Sequence, residues 1–346
     1  MSKATVLIVE DEHALASALG AVVTRLGAAP RFAASGSQAI KALSSAKPAA
    51  MVLDIGLPDM GGLEVLERVF PDGVDMPVVV VTAHGSLENA IAAKRLGVAE
   101  YLTKPLDLHA FEGVLGGVLS VPESGRGGGD PESEGDSGTT MIGASPAMQR
   151  VFREVAHACT SPAAVVISGA SGTGKTLAAR VIHANSEGAG PLTVFECGAG
   201  PSAAGEIGKA RGGTVLLENI DRLSDAEQSA LLAVVEAGGA PRLISTSRIP
   251  LHEAVGEGQF REDLYYRLRG VEIRLPTVGE RLDDIPALAA YFLGRACSDR
   301  TLILSEEALD SLCEREWPGN VRELRNAIEY GVSVCGGTRL LPQHLP

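Results

Sequence analysis

The sequence predicts two α/β units built on parallel sheets, the second followed by a small helical subdomain. Short apolar runs alternate with stretches of helical periodicity from residue 4 to residue 119, which is the pattern of a parallel sheet. A mixture of glycine, serine, proline and acidic residues interrupts this pattern at residues 121–140, and the pattern then restarts. A chain of 346 residues is also too long for one ordinary core. We therefore predict a first domain at 1–120 and a flexible linker at 121–140.

Composition narrows the class of protein. Hydrophobic residues make up 45% and charged residues 21%, as in globular proteins, and the net charge of -13 gives no overall positive field for nucleic acid. The overall charge does not exclude a local basic patch. The five cysteines form no Cys-x-x-Cys pair, which favours buried thiols in a reducing cytosol. No apolar run of transmembrane length and no signal peptide is evident, so we expect a cytoplasmic protein.

Polar residues follow the apolar runs of the first unit, which lie at residues 6–9, 51–53, 78–81 and 101–102. The carboxyl ends of parallel strands meet at one edge of a sheet, where ligands bind. The residues expected at that edge are Glu10, Asp11, Asp54, Thr82 and Lys104.

This set of residues suits phosphoryl chemistry on a carboxylate. Three acidic side chains would repel one another, so we expect a hard cation such as Mg²⁺ among them. With Mg²⁺ and Lys104 neutralising charge, Asp54 can attack a phosphoryl donor, and Lys104 can stabilise the oxygens that develop charge. Thr82 can then bond the attached phosphoryl group. Each acidic residue taken alone would more often be only a polar strand end.

Residues 4–119 resemble the receiver domain of response regulators. The resemblance is carried by IVEDE (8–12), VLDIGLPDMGG (52–62), VVVVTAHG (78–85) and YLTKP (101–105). It implies a flavodoxin-like fold with a parallel five-stranded sheet and a cognate sensor histidine kinase as partner. It also implies that Asp54 is phosphorylated, that Glu10, Asp11 and the Gly56 carbonyl hold Mg²⁺, that Thr82 and Lys104 sense the phosphoryl group, and that Tyr101 is the switch aromatic. An aromatic residue in a strand is, however, usually a core residue.

The second unit contains a phosphate-binding loop directly after its first apolar run at 165–168. Further buried runs follow at 193–196, 215–217 and 243–245. The loop consists of Gly169, Ala170, Ser171, Gly172, Thr173, Gly174, Lys175 and Thr176. Its glycines allow backbone amides to surround phosphates, its lysine reaches the outer phosphates, and its last hydroxyl can bind Mg²⁺. ATP is the expected ligand, although a simple glycine-rich turn is the alternative.

The remainder of the second unit resembles the AAA+ domain of NtrC-type sigma-54 activators. The matching blocks are IGASPAMQRV (142–151), ARVIHANS (179–186), GGTVLLENIDRL (212–223), FREDLYYRL (260–268) and WPGNVRELRNAI (317–328). The resemblance implies a nucleotide-binding subdomain at 141–278 and a helical lid at 279–346. We expect no further strands in the lid, only helical periods such as 285–293 and 306–312. Arg261 and Arg267 would reach a neighbouring subunit's ATP, which implies an oligomeric ring, and Arg322 would be the sensor arginine.

The sequence departs from that family at four places. The acidic strand end reads Glu218-Asn219 where Asp-Glu is expected, and an amide cannot accept a proton from the attacking water. Ser247 stands where an asparagine usually senses the γ-phosphate. Only residues 199–204 remain where the family carries its GAFTGA loop, so the resemblance gives no route by which the chain would contact sigma-54. The sequence ends at Leu345-Pro346 without a helix-turn-helix, and we expect no direct DNA binding.

Three functional hypotheses remain open at this stage. The leading one is a regulatory module, in which phosphorylation of Asp54 changes how the ATP-bound domain assembles with itself or with a related regulator. The second is a working ATPase that activates sigma-54 RNA polymerase from solution, with Glu218 or Asp221 as the base. The third is a decaying AAA+ scaffold in which only the receiver works, as a phosphate sink.

Overall fold

The computed structural model describes most of the chain. Outside the described residues lie 1–3, 72, 84, 105, 107, 121–139, 187, 189, 199–203, 206, 208, 209, 211, 239, 240 and 298–301. The predicted linker at 121–140, except Thr140, and most of the shortened segment at 199–204 therefore lie outside the described part of the chain. The described chain divides into two compact units, Met1–Gly135 and Asp136–Pro346.

The first unit is a parallel sheet with helices between its strands. Its sheet has the order β2-β1-β3-β4-β5 within the described residues. Its elements are β1 (Thr5–Val9), α1 (His13–Arg25), β2 (Ala29–Ala33), α2 (Gly36–Ser45), β3 (Ala50–Asp54), α3 (Gly62–Val69), β4 (Val78–Thr82), α4 (Leu87–Arg95), β5 (Glu100–Thr103) and α5 (Leu108–Ser120). The central strands β1, β3 and β4 are almost fully buried, which explains their unbroken apolar sequences.

The second unit repeats this architecture around another parallel sheet, whose described strands have the order β10-β6-β9-β8-β7. Its elements are α6 (Pro146–Thr160), β6 (Val165–Ser168), α7 (Lys175–Ala184), β7 (Leu192–Glu196), β8 (Thr214–Glu218), α8 (Asp225–Glu236), β9 (Arg242–Ser247), α9 (Leu251–Gly256), α10 (Glu262–Leu268) and β10 (Val271–Arg274). The parallel five-stranded receiver sheet and the α/β nucleotide-binding fold that the sequence predicts are thus confirmed.

The lid is mostly helical, and one detail of its prediction was wrong. Its elements are α11 (Ile285–Ala296), β11 (Ile303–Leu304), α12 (Glu306–Glu314), α13 (Asn320–Val334) and β12 (Arg339–Leu340). We expected no strand beyond residue 279, but Ile303 and Leu304 pair in parallel with Arg339 and Leu340. Strands of two residues are too short to give a periodic sequence pattern.

Each unit has an apolar core that fixes its elements. The receiver core joins strands β1, β3 and β4 to α1 and α5, with Phe111 fully buried among them. The lid core surrounds Trp317, whose indole N–H donates to the Leu312 carbonyl. Such burial contributes about 1.5–3 kcal/mol for each large apolar side chain.

None of the five cysteines, all of which are described, forms a disulfide. Cys159, Cys197 and Cys335 are buried as expected, whereas Cys297 and Cys313 are only partly so. None of the helices in the described part of the chain combines the length and apolar character needed to cross a bilayer.

Candidate functional site

The carboxyl ends of β1, β3 and β5 bring two carboxylates and an amine together in the first unit. The Lys104 ammonium lies 2.7 Å from Asp54 Oδ2 and 2.8 Å from Glu10 Oε1. Asp54 and Glu10 are buried, so the lysine compensates negative charge that water cannot solvate. The backbone N–H of Gly56 donates to the other Asp54 oxygen, Oδ1, at 2.9 Å.

The same edge has room for a hard cation. Ligand atoms of Glu10, Asp11 and Asp54 lie within 4.8 Å of one another. Glu10 Oε2 is buried and accepts no hydrogen bond from any described residue. A buried carboxylate oxygen without a donor is costly unless a cation satisfies it, so this oxygen set fits Mg²⁺.

Burial and charge perturb the titration of this cluster. Burial, with the neighbouring Asp54 charge adding to it, raises the pKa of Glu10 despite its hydrogen bond from Lys104. Burial alone would lower the pKa of Lys104, but hydrogen bonds to Asp54 and Glu10 outweigh it and raise that pKa. Lys104 therefore remains charged beside the carboxylates.

The remaining predicted receiver residues lie close to this cluster along the sheet. Lys104 donates its backbone N–H to the Thr82 carbonyl at 2.8 Å, which places Thr82, itself buried, beside the lysine. Tyr101 is buried in β5, and burial, followed by the nearby charge of Glu88, raises its pKa to about 12. Gly62, at the start of α3, lies against Asp54, since a Cβ there would meet the Asp54 carbonyl at 2.2 Å.

The phosphate loop of the second unit contains three glycines with positive φ. Gly169, Gly172 and Gly174 adopt φ values of 151°, 80° and 109°, which other residues rarely adopt. Gly174 precedes α7, whose N-terminus points positive backbone potential into the loop. The Lys175 ammonium donates to the carbonyls of Gly169 and Ala170 at 2.6 and 2.9 Å, so it lies folded over the loop.

A cleft of about 640 Å³ opens beside this loop. Burial, with Arg322 and Arg248 adding to it, lowers the pKa of Lys175 against the opposite influence of Asp221. Thr176 donates its hydroxyl to Glu218, so the hydroxyl predicted to bind Mg²⁺ is in contact with the glutamate of the acidic strand end. The cleft is lined by Ser171, Gly172, Gly174, Lys175, Thr176, Leu177, Glu196, Glu218, Asn219, Arg222, Thr246, Arg248, Phe292, Val321, Arg322, Arg325 and Asn326.

Asn219, at the position expected to carry the base, is held by a second carboxylate. Asn219 lies in the left-handed region at φ 55° and donates its side-chain amide to Glu196 Oε1 at 2.8 Å. Glu196 ends β7, next to Glu218 at the end of β8 in the strand register. Arg222 lies 3.6 Å from the same Glu196 oxygen.

Ser247, at the end of β9, and Asp221, three residues beyond β8, have side chains engaged elsewhere. Ser247 is fully buried and donates its hydroxyl to the Ile249 carbonyl, so it does not line the cleft. Its neighbour Thr246 lines the cleft and accepts the backbone N–H of Asn219 at 3.0 Å. Asp221 accepts hydrogen bonds from Arg248 at both carboxylate oxygens, 2.8 and 3.1 Å away.

The predicted arginines fall into two places. Arg322 lies at the start of α13 within 3.4 Å of the Ser171 hydroxyl, so the lid touches the phosphate loop through it. Arg261 and Arg267 are exposed at the beginning and in the last turn of α10 and are not among the described residues that line the cleft. Arg261 is paired with Asp263 at 2.6 Å, and Arg267 lies 3.5 Å from Glu236.

Sequence reasoning missed several cleft residues, chiefly Glu196, Arg222, Thr246 and Arg248. The signal for Glu196 was available, because it is the last residue of an apolar run that parallel topology places beside β8. A single glutamate in a chain with 43 acidic residues gives no pattern of its own.

Three family descriptions match successive parts of the chain. The response regulator receiver domain matches residues 6–114, the sigma-54 interaction domain matches residues 142–278, and the AAA+ ATPase lid domain matches residues 279–346.

Curated relatives are similar over nearly the whole chain. The DNA-binding transcriptional regulator NtrC of Proteus hauseri is 32% identical, with all of this chain and 81% of the relative covered. The transcriptional regulatory protein ZraR of Escherichia coli (strain K12) is 32% identical, with 99% of this chain and 85% of the relative covered. Among solved structures, NtrX from Brucella abortus in complex with ATP is 25% identical with a TM-score of 0.53, with all of this chain and 84% of that chain covered.

Proposed function

Because the chain belongs to the NtrC-like and ZraR-like family of two-component response regulators, with a receiver and a sigma-54 interaction domain of the AAA+ type, we propose that it is a phosphorylation-controlled, ATP-dependent assembly switch. In this proposal, phosphorylation of Asp54 by a cognate sensor histidine kinase changes how the ATP-bound second unit associates with itself or with a related regulator. The observation that carries the proposal is that the nucleotide-binding residues are retained while Asn219 replaces the expected base.

The receiver cluster supports the phosphorylation step. Asp54 is the proposed acceptor because it is buried, contacts Lys104 and lies close to the other two carboxylates. Mg²⁺ held by Glu10, Asp11, Asp54 and the Gly56 carbonyl would neutralise the charge of the incoming phosphoryl group. Lys104 is placed to stabilise the equatorial oxygens, and Thr82 and Tyr101 are the residues proposed to sense the product.

The cleft of the second unit supports nucleotide binding. The loop from Gly169 to Thr176 would hold the phosphates with its backbone amides, with Lys175 moving from its carbonyl partners to the outer phosphates. Glu218 and Thr176 would hold Mg²⁺ together, and Arg322 would reach the γ-phosphate from the lid. The relative NtrX has been solved in complex with ATP and with ADP.

Slow hydrolysis is the reason to propose an assembly switch. Asn219 cannot serve as a base, and loss of a general base costs about 10²- to 10⁴-fold in rate. The two substitute bases considered from the sequence are both engaged, Glu218 with Thr176 and Asp221 with Arg248. An ATP-bound state would therefore persist long enough to stabilise an assembly.

The proposal is tested by measuring the mass of the assembly that the full chain forms in solution. We expect that acetyl phosphate and Mg²⁺ label the wild type but not Asp54→Asn, and that ATP shifts the mass of the phosphorylated form but not that of Lys175→Ala. Asp75→Asn is the matched control, because Asp75 is exposed and paired with Lys47. An unlabelled wild type, or a mass that ignores both ATP and phosphorylation, would contradict the proposal.

A second function has one observation in its favour, namely the match of residues 142–278 to the sigma-54 interaction domain. In that case the chain would be an ATPase that activates sigma-54 RNA polymerase. Transcription in vitro with sigma-54 polymerase separates the two functions. Activation that requires ATP hydrolysis would favour the activator, and its absence beside ATP-dependent assembly would favour the switch.

A further inference from the structure

Glu196 presents a carboxylate to the nucleotide cleft from the strand next to β8. It is the last residue of β7 and lines the cleft together with Lys175, Thr176 and Glu218. Its side chain is 39% exposed, so it is in contact with the water of the cleft. Asn219, on the other hand, contributes only an amide.

The hydrogen bonds of Glu196 leave part of its carboxylate available. Oε1 accepts the Asn219 amide at 2.8 Å and lies 3.6 Å from Arg222. Oε2 accepts no hydrogen bond from a described residue. Glu218 accepts the Thr176 hydroxyl through one oxygen and is the residue proposed to hold Mg²⁺ with Thr176, and Asp221 nearby is bonded to Arg248 through both oxygens.

The amide of Asn219 also fixes where this carboxylate points. A donor on Oε1 holds the side chain towards the end of β8, where the sequence departs from the family pattern. Adjacent parallel strands lie about 4.8 Å apart, so a glutamate at the end of β7 reaches the space beside residue 219 from one strand away.

From this geometry we infer that Glu196 is the general base for the slow ATP hydrolysis of this chain, with Asn219 as the residue that positions it. The inference rests on the proposed ATP binding and deepens it. Hydrolysis is slow because the base acts from the neighbouring strand, and a displacement of about 1 Å already costs about 10²-fold. The chain is then a timed switch whose ATP-bound state ends when Glu196 promotes hydrolysis of the ATP.

The chemical step balances with water as the co-reactant. The water oxygen bonds to the γ-phosphorus while the bond from that phosphorus to the β,γ-bridging oxygen breaks. ADP leaves with the electron pair of the broken bond. The proton of the water passes to the Glu196 carboxylate, which returns it to solvent, and inorganic phosphate is released.

The experiment measures single-turnover phosphate release and binding of a fluorescent ATP analogue by the full chain. We expect Glu196→Gln, which keeps the size of the side chain, to lower the rate of phosphate release about 10²-fold or more while it binds the analogue as the wild type does. We also expect its ATP-induced assembly to last longer by a similar factor after dilution. Glu257→Gln is the control, because Glu257 is exposed at the end of α9 and does not line the cleft.

A second variant separates chemistry from folding. Exchanging the two groups, as Glu196→Asn with Asn219→Glu, keeps an amide next to a carboxylate and moves the carboxylate to the end of β8. We expect the exchanged protein to hydrolyse ATP faster than Glu196→Gln.

Three results would overturn the inference: wild-type hydrolysis no faster than that of Lys175→Ala, a Glu196→Gln rate equal to wild type, or an exchanged protein that binds ATP yet is no faster than Glu196→Gln. Failure of the proposed switch would instead appear as hydrolysis that depends on Glu196 without any ATP-dependent assembly.

Discussion

The carboxylate of Asp59 caps the N-terminus of helix α2, although Asp59 lies far from this helix in the sequence. Its oxygens accept the backbone N–H groups of Gly36 and Ser37 at 2.8 and 2.9 Å. Both amides lack partners within the helix, and an anion at that end is also favoured by the helix dipole. Hydrogen bonds from Ser37, and then from Gly36, lower the pKa of Asp59 from 3.8 to about 2.

Replacement of this anion should destabilise the start of α2 in a pH-dependent way. A carboxyl whose pKa is lowered on folding contributes stability above its unfolded value of 3.8, and that contribution is lost as the pH falls towards 2. We expect Asp59→Asn to lower amide-exchange protection at residues 36–45 at about pH 6, and the difference from wild type to shrink as the pH falls below 3.8. Exchange followed by mass spectrometry, corrected for intrinsic rates, measures it. Asp75→Asn is the control, and a difference that is constant with pH would show that the charge of Asp59 is not responsible.

At the level of single residues, the sequence predicts where a residue lies in the sheet better than it predicts which partner the side chain contacts. Asp54, Lys104 and Glu10 could be placed together because each follows a buried run, and parallel strands end at a common edge. The side-chain direction of Ser247 could not be predicted, because the competing acceptor at Ile249 becomes visible only in the folded chain. The partner of Asn219 was missed for the same reason, since 23 residues separate it from Glu196.

Among the elements, α13 is attached to the phosphate loop through its first residue. Asn320 is buried at φ 55° and accepts the Val278 backbone N–H at 3.0 Å. Its amide donates to the carbonyls of Ser171 and Pro318 at 2.9 and 3.3 Å. The Asn320 side chain therefore joins the lid helix to the phosphate loop, in addition to the contact that Arg322 makes with Ser171.

Loss of this attachment should destabilise the second unit and weaken nucleotide binding. We expect Asn320→Ala to lower the free energy of unfolding by about 2–4 kcal/mol, from lost hydrogen bonds and because alanine tolerates the left-handed conformation less well than asparagine does. Asn320→Gly should cost about 1 kcal/mol less, because glycine adopts that conformation without strain. Urea unfolding followed by fluorescence of the single tryptophan, Trp317, reports on the lid core. Equal losses in the two variants would exclude a contribution from the backbone conformation.

The strands that the sequence reveals are those with an apolar run, and most of these strands are buried. Strands β1, β3, β4, β6 and β8 appear in the sequence as apolar runs because neighbours cover both faces. Strands β2 and β10 have no such run. Each lies at an edge of its sheet, β2 contains Pro30 and Arg31, and β10 alternates buried and exposed residues.

For the molecule as a whole, assembly requires surfaces that are not used within the chain. Arg267 is 59% exposed, and its contact with Glu236 at 3.5 Å is long for an ion pair. Exposed pairs of this kind contribute about 0–1 kcal/mol, so Glu236 holds Arg267 only weakly within the same chain. Its neighbour Tyr266 is also exposed, at 62%. A weakly held arginine next to an exposed aromatic residue is the composition expected of an interface centre.

Removal of the Arg267 guanidinium should therefore weaken assembly and leave ATP binding by the single chain unchanged. We expect Arg267→Ala to bind ATP as the wild type does, because the residue does not line the described cleft. The variant should require at least about 10-fold more protein for ATP-dependent assembly, as the loss of about 1.4 kcal/mol at an interface implies. Sedimentation at several protein concentrations, with and without ATP, measures the assembly, and binding of the fluorescent ATP analogue measures the cleft. Arg269→Ala is the matched control, since Arg269 is similarly exposed and its pair with Glu272 closes at 3.0 Å within the chain. If the two variants assemble alike, the inter-subunit role proposed for Arg267 is wrong, and the surface that responds to ATP lies elsewhere.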